Sequence, residues 1–282
     1  MNGSLQKKIA AILYSFMIFW LFFSCKPTHD HENRIDLSGE WAFQIDSLDK
    51  GVQEGWYTRV LKDKIELPGS MTTNDKGNDI SLETPWTGNI LDSSFFKSDE
   101  YAQYRQPGNI KVPFWLQPVK YYKGAAWYQK QITVPDSWEN KAVELFIERS
   151  HWETTVWVDD QRTGVRNSLG TPHVYDLSKA LTPGSHTLTV RIDNRIKDFN
   201  VGINSHSITD HTQTNWNGMI GDLFIAARPA LHIGDVQLYP DVKNKQVVAR
   251  VKINNLKGDT IRANLRLVAT SSDSQAEKLE PL

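Results

Sequence analysis

Between Asn204 and Gly218 the chain runs Asn-Ser-His-Ser-Ile-Thr-Asp-His-Thr-Gln-Thr-Asn-Trp-Asn-Gly, a polar stretch carrying one large indole. Its hydrogen-bonding groups, with His206, Asp210, His211 and Asn215 foremost, share this short stretch of chain with Trp216. Sugars ask for this pairing, because hydroxyls need donors and acceptors while a pyranose C–H face needs a ring. A self-bonded loop is the competing reading, since Asn, Asp, Ser and Thr favour turns on their own account. Imidazole and carboxylate also suit several cations, but the spacing of His206, Asp210 and His211 matches no metal motif, and no metal is expected. No phosphate loop, zinc ribbon or nucleophile elbow is present, so no cofactor is implied.

Strands must hold such a loop. In Val143–Glu148 the residues Val143, Leu145 and Ile147 share one face, and in His186–Asp193 Leu188, Val190 and Ile192 oppose Thr187, Thr189 and Arg191. Period-two alternation marks half-buried antiparallel strands. Similar strands are expected at Trp41–Ile45, Trp127–Val134, Thr154–Val158 and Leu223–Ala227. Short turn-forming groups separate them, among them Pro135-Asp136, Asp159-Asp160 and Pro183-Gly184. No helix of ordinary length is visible. The expected class is all-β, a jelly-roll β-sandwich.

Residues 70–118 break the alternation with Asn, Asp, Gly, Pro and aromatics, including Trp86, Phe95, Phe96, Tyr101, Tyr104, Phe114 and Trp115. They read as an insertion pinned by its own rings. After Pro229, His232–Tyr239, Gln246–Asn254 and Thr260–Ala269 give three further alternating runs. They resemble the opening of an immunoglobulin-like sandwich, which takes about 100 residues to close. The expected organisation is a signal peptide over residues 1–24, a tether over 25–33, a sugar-binding jelly roll over 34–229, and a partial immunoglobulin-like sandwich over 230–282.

The first segment carries Lys7 and Lys8, then an apolar run from Ile9 to Phe23, then Ser24 and Cys25. A basic start, an apolar centre and a small residue read as an export signal, and the run is shorter than the roughly 20 residues a membrane-spanning helix needs. Cys25, the one cysteine, stands where a bacterial lipobox places the lipidated residue. Export to the cell envelope as a lipoprotein is expected, on the periplasmic or outer side, with secretion as the alternative. The membrane is then met only through a lipid anchor. With no second cysteine there is no internal disulfide, so packing must carry stability. A formal net charge of −1 offers no field for nucleic acid.

An ordered set of segments resembles the N-terminal part of glycoside hydrolase family 2, the family of β-galactosidases and β-glucuronidases. Leu37-Ser38-Gly39-Glu40-Trp41, Leu67-Pro68-Gly69-Ser70, Gly124-Ala125-Ala126-Trp127-Tyr128, Trp157-Val158-Asp159-Asp160 and Trp216-Asn217-Gly218-Met219-Ile220-Gly221 follow in the family's order. Asp159-Asp160 stands where the family usually has Asn-Gly. The resemblance implies a sugar-binding jelly roll, then an immunoglobulin-like domain, then a barrel whose two glutamates cleave β-glycosidic bonds with retention. Neither glutamate motif occurs here. Glu148 and Glu153 are expected to be surface or ion-paired residues.

The resemblance also implies that loops of the sandwich reach the barrel's mouth. Asp210, Asn215 and Trp216 match that role here, with His206 and His211 assisting. The expected partner is therefore a β-linked glycan, galactoside first, which the chain binds or positions without hydrolysing. A free-standing carbohydrate-binding surface lipoprotein and a purely structural sandwich remain as alternatives.

Overall fold

The computed structural model describes residues 33–112, 118–197, 202 and 215–268. Cys25 with its preceding segment, and His206, Asp210 and His211, lie outside the described residues. The chain divides into two compact units, with the boundary between Arg228 and Pro229.

The first unit contains β1 (Arg34–Asp36), β2 (Gly39–Asp46), β3 (Asp63–Leu67), β4 (Gly69–Ser70), β5 (Asn78–Asp79), β6 (Lys120–Tyr121), β7 (Ala125–Val134), β8 (Ala142–Ser150), β9 (Glu153–Val158), β10 (Gln161–Asn167), β11 (His173–Asp176), β12 (Gly184–Asp193) and β13 (Gly218–Arg228). β5 and β6 pair as a separate two-stranded sheet, and two main antiparallel sheets result. One runs β1-β13-β8-β11 with β4 joined to β13; the other runs β10-β9-β12-β7-β2-β3. Strands adjacent in sequence are often separated in the sheets, as β12 shows by lying between β7 and β9.

The alternation explains the core. Val143, Leu145 and Ile147 of β8 and Leu223 and Ile225 of β13 meet Trp41, Phe43, Tyr128, Val156, Leu188, Val190 and Ile192 of the other sheet in one buried cluster. Each such side chain contributes roughly 1.5–3 kcal/mol by leaving water. This is the all-β sandwich expected from the sequence.

The six-stranded sheet is also covered on its outer side. Trp127 and Trp157 are buried there with Leu61, and Trp56 and Tyr57 of the β2–β3 connection pack against them. Gly51 is required in that connection, because a Cβ would lie 2.5 Å from Nε1 of Trp127. The insertion builds a small core of its own from Trp86, Phe95, Ile110, Val112 and Tyr121, with Tyr101 and Tyr104 against it. Phe96 is instead 44% exposed, while Phe114 and Trp115 fall outside the described residues.

The second unit is a hairpin of β14 (Leu231–Asp241) and β15 (Gln246–Asn255). The third strand expected at Thr260–Ala269 does not form over residues 260–268. Alternation alone cannot make a strand, since its backbone groups need a hydrogen-bonded neighbour. Ile261, Leu265 and Leu267 are left exposed.

Candidate functional site

Trp216 sits immediately before β13, and the residues around it fix its backbone. Asn217 is buried and anchors three strands: its Oδ1 accepts from the Tyr128 hydroxyl at 2.7 Å, and its Nδ2 donates to the carbonyls of Ile192 at 3.1 Å and Gly124 at 3.3 Å. Gly218 then passes so close to β4 that a Cβ would stand 2.4 Å from the Gly69 carbonyl oxygen, at a φ of +148°. Only glycine fits there.

The Trp216 carbonyl accepts twice, from His151 Nδ1 at 3.0 Å and from Asn194 Nδ2 at 3.2 Å. Because the partner is a carbonyl, Nδ1 of His151 carries the proton. Asn194, buried, also accepts from the Gly124 amide at 2.7 Å and donates to the Tyr122 carbonyl at 2.9 Å. The indole itself is half-buried, its ring centroid 5.2 Å from that of His151. Its main chain is clamped while its side chain retains exposed surface.

Asn215 points inward. Its Nδ2 donates to the Asn194 carbonyl at 3.3 Å, and its buried Oδ1 has no partner among the described residues. Of the residues singled out in the sequence, the structure therefore brings Asn215 and Trp216 together and gives them different roles. Trp216 offers a surface, whereas Asn215 belongs to the support. Asn194, His151 and Tyr122 complete that support, and the sequence offered little to mark them. Asn194 and His151 work through main-chain partners distant in the chain, and Tyr122 joins them by lending its carbonyl to Asn194.

Beside this cluster lies a dense ion network. Asp193, fully buried, accepts from Arg195 Nη2 at 2.6 Å and Nε at 2.9 Å, from Lys197 Nζ at 3.1 Å, and from Arg191 Nη2 at 3.1 Å. Burial alone would raise its pKa. The hydrogen bonds from Arg195 and Lys197 and the charge of Arg191 outweigh burial and hold the carboxyl well below the usual range. Asp49 bridges Arg191 and Arg195 from the β2–β3 connection. Burial pushes the Tyr122 hydroxyl upward, with nearby Asp46 adding to the effect, so it remains a neutral donor, bonded to the Ala125 carbonyl at 2.6 Å.

Glu148 and Glu153 are occupied structurally. Glu148 accepts from the Asp222 amide at 2.7 Å, and Glu153 pairs with Lys197 at 2.8 Å.

Relatives share this fold. A solved β-glucuronidase from an uncultured Clostridium species superposes with a TM-score of 0.55 at 19% identity, covering 80% of this chain and 35% of that one. The β-galactosidase of Clostridium acetobutylicum is 25% identical over 82% of this chain and 24% of its own length. The β-glucuronidase of Paenibacillus borealis is 22% identical over 77% of this chain and 33% of its own. The chain thus spans about a quarter to a third of the lengths of these relatives. Residues 35–229 match the sugar binding domain of glycosyl hydrolases family 2, and the chain belongs to that family.

Proposed function

We propose that this chain is the sugar-binding part of an exported β-glycosidase that cleaves with retention, and that Trp216 meets the glycan. The observation that carries this reading is the clamped carbonyl and half-exposed indole of Trp216. A ring held in place before sugar arrives loses little entropy on binding. Asp210, His206 and His211 precede it in the chain and supply hydroxyl partners, while Asn215 keeps Trp216 in register from beneath. Family membership supports a β-linked substrate, with galactoside and glucuronide as the two candidates among its relatives' names.

Retaining hydrolysis needs two carboxyls about 5 Å apart across the scissile bond. Glu148 and Glu153 are committed to Asp222 and Lys197, so the hydrolytic acids are assigned elsewhere in the whole protein. This chain then positions sugar without cleaving it, within a jelly-roll sandwich followed by the start of an immunoglobulin-like one.

Monosaccharide titration followed by tryptophan fluorescence tests the site. Galactose or glucuronate should quench the wild type and leave Trp216→Ala unaffected, and 4-nitrophenyl β-glycosides should not be turned over. Equal responses from both proteins would move the site away from Trp216.

The basic start, apolar run and Ser24-Cys25 support export with a lipid on Cys25. Palmitate labelling that is abolished by Cys25→Ala is the expected result. Labelling that survives the substitution would refute the anchor.

A further inference from the structure

The outer face of the six-stranded sheet holds a cleft of about 630 Å³, lined in part by Tyr57, Glu153, Trp157, Asp160, Arg162 and Arg191. It is separate from the support around Trp216. Alternation creates it: Thr154, Val156 and Val158 of β9 turn into the sandwich, so Glu153, Thr155 and Trp157 must turn out. Antiparallel pairing sets Thr155 opposite Val165 and Trp157 opposite Arg162, which makes β9 and β10 the floor. The β2–β3 connection forms the wall, with Tyr57 stacked on Trp157 at 5.3 Å and 4° between planes.

Trp157 is covered by that stack, so the aromatic surface available to a ligand is that of half-buried Tyr57. Three observations concern the polar groups. Arg191 is 7% exposed, and its Nε is buried without a hydrogen-bond partner although its Nη2 serves Asp49 and Asp193. Arg162 and Asp160 are exposed at the cleft and form no ion pair among the described residues. The remaining charges cancel within the network, since Arg191, Arg195 and Lys197 face Asp49, Glu153 and Asp193.

An anion drawn to Arg162 would therefore meet Asp160 with no net field in its favour, and a cation would meet the reverse. Hydroxyls suffer neither penalty, because they donate to carboxylates and accept from guanidinium groups equally well. We propose that this cleft is a second saccharide site, taking neutral pyranoside units of an oligosaccharide. A C–H face lies against Tyr57, and hydroxyls bridge Asp160 and Arg162. The volume falls in the range of small-ligand pockets, roughly 300–1,000 Å³. The site would hold a glycan chain on the sandwich independently of the sugar unit at Trp216.

Isothermal titration of the full chain with cellotetraose, laminaritetraose and mannotetraose tests this, with wild type beside Tyr57→Ala, Arg162→Ala and Trp216→Ala. At least one oligosaccharide should bind. Arg162→Ala and Tyr57→Ala should each weaken it by about tenfold, the loss expected when one charge-assisted hydrogen bond or one ring contact is removed. Trp216→Ala should leave it unchanged, which separates this site from the one proposed above. Arg162 is exposed and its replacement leaves the core intact; if Tyr57→Ala unfolds, Tyr57→Leu keeps apolar volume without the ring. Absence of binding to all three sugars overturns the proposal. So does wild-type affinity in the Arg162 and Tyr57 variants, loss in Trp216→Ala alone, or preference for tri-galacturonate over every neutral chain.

Discussion

The Tyr128 hydroxyl donates to Oδ1 of Asn217 at 2.7 Å across 89 residues of chain, inside a core where Tyr128 is wholly buried. That bond ties β7 of one sheet to the entry of β13 in the other. Asn217→Ala strands the buried phenol and removes one donor each from the Ile192 and Gly124 carbonyls. It should destabilise the fold by about 3 kcal/mol, whereas Tyr128→Phe, which removes only one donor, should cost about 1 kcal/mol. Urea unfolding of the two variants checks the ratio; equal losses would argue against Asn217 as the hub.

Gly218→Ala should be at least as harmful for a different reason. Its methyl group would meet backbone atoms of Gly69 and Ser70, which cannot turn aside as a side chain can. A cost of about 3 kcal/mol is expected from the clash and the left-handed backbone together. Gly88→Ala, where a Cβ meets nothing within 4 Å, is the control and should be nearly neutral. Thermal melts of the pair decide it.

Acidification should weaken the fold in two steps. His173 is fully buried, with Nδ1 2.6 Å from the Thr154 hydroxyl and Nε2 2.8 Å from the Ser168 carbonyl, and burial lowers its pKa below 6.5. Its unfolded form gains a proton first, so the associated stability is complete above about pH 6.5 and declines as pH falls towards the depressed folded value. Asp193 is also depressed, so its contribution is complete above about pH 4 and is lost below that. His173→Gln should flatten the upper step and Asp193→Asn the lower one in denaturant midpoints recorded against pH. A single step unaffected by either substitution would contradict this assignment.

Ile233, Val236, Leu238, Val247 and Val248 of the hairpin beyond Pro229 are 48–63% exposed. Such an uncovered apolar surface with free strand edges promotes self-association. Ending the chain at Pro229 should therefore leave the sandwich's melting temperature within about 2 °C and reduce light scattering on concentration. A large fall in melting temperature would show that the two units depend on each other.

Much of the sandwich was legible because two-residue periodicity is a local signal. β2, β7, β8, β9, β12 and β13 all fall on the expected runs. β10 and β11 were not expected, since Gly164 and Arg166 interrupt any apolar rhythm and both strands take their order from pairing with β9 and β8. Trp216 stood out as an indole in a polar stretch. Asn194 and His151 did not, because their roles arise from carbonyls reached 22 and 65 residues away. The inward turn of Asn215 was hidden for the same reason.

The two donors on the Trp216 carbonyl hold the chain by atoms every amino acid possesses. That clamp does not depend on which side chain the position carries, although the half-buried indole also packs on His151. If the indole meets the glycan as proposed, exchanging it for another ring or a polar group retunes which glycan is preferred without loss of the carbonyl clamp.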